Sequence, residues 1–209
     1  MKKLSLKINC IAILLSCTFI SVLATTNMRA QTKSKTDTCY AGVYLTYNDF
    51  FKKHLSHKIN TKSKGNNFDF VLASKTIKII TRDTTVKFKP GSIFGFYDCR
   101  DLYRYSPDVE LLSPEDYYKI EEMGSEESGK LIIYTSVFKG GKEYFFSTGL
   151  NYPIHRLNMN HLEKDFKGLF PKFIEAVKKI MAENAGDIAA KDSIGHFLIN
   201  KLYQQYVIH

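Results

Sequence analysis

The chain has 209 residues and a formal net charge of +9, from 30 Lys and Arg against 21 Asp and Glu. That length buries a hydrophobic core without staples, and it amounts to one domain once an N-terminal segment is set aside. Residues 31–106 hold 14 basic and 6 acidic groups, residues 107–130 hold 2 and 8, and residues 131–209 hold 10 and 7, which excludes a uniformly cationic chain.

Residues 1–30 are unlike the rest. Lys2, Lys3 and Lys7 precede an apolar run from Ile8 to Ala24, the pattern of a signal peptide with a small-x-small cleavage site at Val22-Leu23-Ala24 and a second candidate cut at Ala30–Gln31. Two minor alternatives are lipidation at Cys17, in the loose lipobox Leu14-Leu15-Ser16-Cys17, and an uncleaved N-terminal anchor. All three leave the lysines in the cytoplasm and export the remainder, to the periplasm or the extracellular space.

Residues 31–38, "QTKSKTDT", are a polar tether. A single domain is expected over 39–209, β-rich to 149 and helical from 150. "AGVYLT" (41–46) is a strand, and Thr46 with Asp49 caps a short helical turn. Residues 55–67, "LSHKINTKSKGNN", are expected to form a polar, basic loop. "FDFVLA" (68–73), "TIKIITR" (76–82) and "TVKFK" (85–89) are strands. In the last, Val86 and Phe88 alternate with Lys87 and Lys89, so one side is buried. "SIFGFY" (92–97) and "LYRYS" (102–106) flank four residues, which is hairpin geometry. "YYKIEEM" (117–123), "KLIIYTSVF" (130–138) and "KEYFFST" (142–148) continue the sheet, with Gly140-Gly141 as the turn between the last two.

After Gly149 the apolar period changes from 2 to 3.6. Asn160 with Glu163 looks like a capping box, Gly168 a stop, and Pro171 the first turn of a second helix with Phe173, Ile174, Val177, Ile180 and Met181 on one stripe. Asp192 or Ser193 is expected to cap a third helix carrying Ile194, Phe197, Leu198, Leu202 and Tyr206. Strands first and helices last indicate an α+β fold: a largely antiparallel sheet of about 7–9 strands with two or three C-terminal helices packed on it.

Candidate chemistry is sparse. Cys39 and Cys99 are the two cysteines outside the N-terminal segment, and an even count in an oxidising compartment suggests a disulfide. A free structural thiol is the next reading of Cys99. A nucleophile is the last, because Asp98 and Asp101 raise a thiol pKa. His54 and His57 have the i, i+3 spacing of one helical face, but no third metal ligand is near. Lys52, Lys53, Lys58, Lys62 and Lys64 form a basic stretch, an anionic-ligand candidate weighed against a plain solvated face. The acidic segment, including Glu121-Glu122 and Glu126-Glu127, is expected to be a solvated loop. No P-loop, dinucleotide fingerprint, nucleophile elbow or nucleic-acid-binding signature is present.

"GVYLTYNDFFKKHLS" and "SIFGFYDCRDLYRYS" resemble a loose group of exported, uncharacterised Bacteroidota proteins. These share a G-x-Y-x-T-x-x-D-F start, here Gly42, Tyr44, Thr46, Asp49 and Phe50, and an aromatic-Gly-aromatic-x-Asp hairpin, here Phe94, Gly95, Phe96 and Asp98. Where such hairpins often read Asp-Gly, this chain has Asp98-Cys99. The resemblance implies export and a β-rich domain and brings no activity with it. The leading expectation is a non-enzymatic binding or structural module of the envelope, with no cofactor, no metal and no nucleic acid. Its partner would be an envelope protein or an anionic surface. The alternatives are a secreted enzyme with a site near Cys99, and a protein that binds anionic surfaces or glycans through the basic 52–64 loop.

Overall fold

Short alternating runs joined by short turns pair most readily with their own sequence neighbours. In the computed structural model, which describes residues 38–71, 73–107, 116–125, 128–138 and 141–208, that rule holds through most of the chain. β1 (Tyr40–Tyr44) is followed by a five-residue helix, α1 (Tyr47–Phe51), and by β2 (His57–Asn60). Next come β3 (Asn67–Val71), β4 (Thr76–Ile80) and β5 (Thr85–Phe88), then β6 (Gly95–Tyr97), β7 (Leu102–Ser106), β8 (Asp116–Glu122), β9 (Ile132–Phe138), β10 (Gly141–Ser147) and β11 (His155–Arg156). Helices α2 (Met159–Phe166), α3 (Pro171–Glu183) and α4 (Leu198–Tyr206) complete the order. Cys39–His209 is one compact unit. The expected signal peptide, with Cys17, and the tether through residue 37 lie outside the described residues, as do Gly140, Glu126, Glu127 and residues 108–115.

The expected α+β architecture is present, with a division the sequence did not announce. Eight antiparallel strands lie in the order β11-β10-β9-β8-β7-β6-β1-β2, while β3-β4-β5 form a separate three-stranded sheet. Register sorts the large sheet into two faces. One face carries Val43, Phe96 and Tyr117, which pack with Ile77, Ile79 and Phe88 of the small sheet. Farther along that face, Ile133 and Phe146 pack with Leu162, Phe173, Val177 and Tyr203 of the helices. The other face carries Arg104, Tyr118, Tyr134 and Phe145. Ile154 and Leu150 cover part of it.

The hairpin at 94–105 forms as expected, with Tyr97 paired to Leu102. Its turn is closed by Asp98, whose Oδ1 accepts from the Arg100 and Asp101 amides. Cys99 takes φ 79°, the left-handed region that glycine enters without cost, and is bonded to Cys39 with their Cα atoms 5.8 Å apart. The Thr46–Asp49 capping box is complete, and Pro171 opens α3.

Four expectations are corrected. Residues 57–60 are a strand, not loop: β2 buries only Ile59 and is held by pairing with β1, so it has no alternating pattern to read. Strand β11 lies within the span expected to be helical. Helix α2 is capped by Asn158, which accepts from the His161 amide, rather than by Asn160. Neither Asp192 nor Ser193 caps α4; Asp192 instead accepts from the Ile194 and His196 amides in a turn, and Ile194 is exposed.

The start of α4 is held by β8. Glu122 accepts from the Phe197 amide at 3.1 Å and from Asn200 Nδ2 at 3.0 Å, and Asn200 also pairs with both main-chain groups of buried Leu131. Glu122→Ala leaves the Phe197 amide without its acceptor and Asn200 Nδ2 with the Leu131 carbonyl alone. We expect a loss of about 2–3 kcal/mol in urea unfolding, and half of that or less for Glu122→Gln. A Glu122→Ala chain as stable as wild type would show that α4 docks by apolar packing alone.

Burial also fixes the alkaline limit. Tyr103 is pushed up to about 12 by burial and by the carboxylates of Asp98 and Asp101, and burial raises Tyr117 and Tyr118 as well. These hydroxyls stay protonated in the fold, so their contribution is complete below pH 10, the ordinary tyrosine value, and is lost as pH rises from there toward 12. Tyrosinate absorbance and far-ultraviolet dichroism are therefore expected to change together above pH 10. Full ionisation with the dichroism unchanged would contradict this.

Candidate functional site

The residues singled out in sequence do not converge. Cys99 is bonded to Cys39, with Thr61 Oγ1 3.5 Å from its sulfur, so it offers no thiolate. The bond joins β1 to the β6–β7 hairpin. His54 and His57 do not share a helical face, because α1 ends at Phe51. His54 lies 3.8 Å from Asp49, and His57 packs on Phe88. Among the described residues no group of three His, Cys, Asp or Glu side chains is arranged to hold a metal ion. Lys52 caps the end of α1, Lys53 follows with φ 53°, Lys58 is on β2, and Lys62 and Lys64 lie in the turn before β3. All five are exposed, and Lys58 sits over the Tyr40 ring.

The described part of the acidic segment is not a solvated loop. Asp116, Glu121 and Glu122 belong to β8, and a bulge between Ile120 and Glu122 breaks the two-residue alternation. Both glutamates therefore reach the helix-bearing face. Burial raises the Glu121 carboxyl, but Lys142 and Thr135 bond to it and Lys119 adds charge, so it ends below its ordinary value. This is an ion-pair network that joins β8 to β9 and β10.

The polar group that stands out is Arg104. It lies on the sheet face that Leu150 and Ile154 partly cover, and is only 6% exposed. Nη1 donates to the Tyr134 hydroxyl at 2.9 Å and Nη2 to the Tyr152 carbonyl at 2.8 Å. The Phe94 and Tyr134 rings flank the guanidinium at 5.7 and 5.9 Å. No carboxylate is within ion-pairing distance among the described residues, and Nε has no partner. Burial raises the Tyr134 hydroxyl, with Arg104 and Ser147 pulling the other way. Tyr134 bonds Ser147 at 2.9 Å, and Ser147 donates to the Gly149 carbonyl at 2.9 Å. One polar chain thus fixes both ends of the 149–152 segment.

That segment is one side of a groove of about 450 Å³. Its described lining residues are Gly149, Leu150, Asn151 and Tyr152, Gly124 and Ser125 after β8, and Tyr47 and Phe51 on α1. Tyr47 and Phe51 are one helical turn apart and stacked at 5.9 Å. Phe50 is buried beside them against Tyr44 and Phe94, and Phe94 also meets the Tyr47 ring. Gly95 permits this approach: a Cβ there would stand 2.7 Å from the Phe50 ring. Phe51 is 58% exposed and Tyr152 49%. The volume falls within the range of about 300–1,000 Å³ typical of small-ligand sites.

Sequence reasoning missed this site. The one signal was the charged Arg104 inside the aromatic run "LYRYS"; Tyr47 and Phe51 are separated from Tyr152 by a hundred residues, and only the fold unites them. Comparisons with protein-family models, with curated proteins and with solved structures return no match for this chain.

Proposed function

We propose that the protein is an exported, non-enzymatic binding module of the bacterial envelope, and that it binds through the groove between α1 and residues 149–152. The observation that carries this reading is the fixed wall: a buried arginine and a buried serine are both committed to holding main-chain carbonyls of a segment that lines an open groove. Pre-organisation of that kind lowers the cost of binding. The described lining residues offer aromatic faces, an amide, a hydroxyl and main-chain groups, which hold a ligand rather than transform it. Export is supported by the N-terminal pattern and by the disulfide, a bond that persists in oxidising compartments. Cys99 departs from the glycine that the resembling hairpins often carry, yet takes the left-handed conformation itself.

A second reading has its own observation: Lys52, Lys53, Lys58, Lys62 and Lys64 are exposed and make no ion pair among the described residues, as a surface for anionic partners requires. The test uses the full chain expressed with its own N-terminus in a bacterium that exports it. Intact mass is expected to show removal of the segment ending at Ala24 or Ala30 and one disulfide. Thermal shifts are then compared for neutral oligosaccharides, an aromatic-rich peptide, heparin and anionic vesicles. Stabilisation lost in Tyr47→Ser/Phe51→Ser, with the probe recovered unchanged, supports the groove. Stabilisation lost only when the five lysines are replaced by serine overturns it in favour of the basic surface.

A further inference from the structure

We infer that the groove takes an oligosaccharide, with its sugar rings laid on Tyr152 and on the Tyr47–Phe51 pair. This rests on the groove being the binding site and adds the chemical class of its ligand.

The lining is the first argument. The described lining residues Tyr47, Phe51, Ser125, Asn151 and Tyr152 bring aromatic faces, hydroxyls and an amide to one groove, groups that suit a ligand with both apolar and hydroxyl-bearing surfaces.

Geometry supplies the second. Tyr47, Phe51 and Tyr152 are exposed rings from two separate elements, and exposed aromatics gathered at one groove are not what a plain solvated surface shows. The C–H face of a pyranose is apolar and matches a ring, while its equatorial hydroxyls point sideways. Asn151, exposed and making no hydrogen bond among the described residues, presents both an amide donor and a carbonyl acceptor. Ser125 adds a hydroxyl. A ligand with alternating apolar faces and hydroxyl rims uses both sets of groups. An alkyl chain would leave the amide and hydroxyl without partners, and a purely aromatic ligand would leave them in water.

The third argument is the shape. Tyr47, Phe51, Asn151 and Tyr152 are all exposed, so the groove is open rather than enclosed. An open groove lets a ligand longer than the site extend into solvent.

The experiment is calorimetric titration of the full exported protein with linear neutral hexasaccharides of different linkage, with the aromatic-rich peptide and a fatty acid as comparison probes. We expect at least one hexasaccharide to bind. Affinity should fall about tenfold or more in Tyr152→Ala and again in Phe51→Ala, and be largely kept in Tyr152→Phe. The three side chains are exposed, and the melting temperature of each variant verifies that it is folded. Groove-dependent binding of the peptide or the fatty acid, with no hexasaccharide bound, overturns the sugar while leaving the groove as the site. Hexasaccharide binding unaffected by Tyr152→Ala and Phe51→Ala overturns both, as does the absence of binding by every probe.

Discussion

Arg104→Met is expected to leave the protein within about 1 kcal/mol of wild-type stability while costing the groove about tenfold or more in affinity. The two effects separate because Arg104 makes opposite contributions. Burying a guanidinium costs several kcal/mol even after relaxation, and among the described residues no carboxylate offsets it. Two charge-assisted hydrogen bonds and two flanking rings recover most of that cost, while Nε, buried without a partner, adds to it. Methionine is unbranched and adaptable enough to fill the same channel without charge. It gives up both hydrogen bonds and the desolvation penalty together, and Tyr134 retains Ser147. The bond to the Tyr152 carbonyl has no replacement, so the far end of the 149–152 wall is released. Arg104→Ala should behave differently, losing about 3–5 kcal/mol through the cavity it leaves. Arg104→Lys should be less stable than Arg104→Met, since one ammonium keeps the buried charge without the planar fork that reaches both acceptors. Urea midpoints and titrations on the three variants check the ranking. If lysine restores stability and methionine does not, the positive charge itself holds the fold.

Loss of the Cys39–Cys99 bond is the other large effect. The bond closes 60 residues, and the chain-entropy model gives about 4 kcal/mol for a loop of that length. The enclosed span holds α1 and the whole three-stranded sheet, so reduction frees much of the domain's first half in the unfolded state. Position 99 adds a distinguishing feature. Cys39→Ala loses the bond alone. Cys99→Ala loses it and keeps a non-glycine residue at φ 79°, whereas Cys99→Gly removes that strain, which is worth about 1–2 kcal/mol. Cys99→Gly is therefore expected to be the most stable of the three. Equal stability of Cys99→Gly and Cys99→Ala in urea would show that the turn leaves the left-handed region once the bond is gone.

The parts of the fold legible in sequence were those encoded locally. Val86 and Phe88 alternate with lysines because one side of β5 is wet. Thr46 and Asp49 meet because they are three residues apart at a helix start. The pairing of Cys39 with Cys99 followed from the count of cysteines outside the N-terminal segment. What escaped was set by distant partners. α4 is held by Glu122, 75 residues earlier in the chain, so the local candidates Asp192 and Ser193 misled. The bulge at Glu121 reverses the alternation that would have put one of two adjacent glutamates in water. Strand β2 forms because β1 offers it an edge, with a single buried apolar side chain of its own. Arg104 was visible as an oddity in an aromatic strand, but its meaning lies in a carbonyl 48 residues away.

The most direct test of the groove is an amide nuclear magnetic resonance titration of the full exported protein with a neutral oligosaccharide that binds in calorimetry. Perturbed amides are expected in Tyr47–Phe51, Gly124–Ser125 and Gly149–Tyr152, with residues 52–64 unmoved beyond the helix end. Perturbations confined to the lysine-bearing residues 52–64, or scattered without reaching Tyr152, would contradict the assignment of this groove as the binding site.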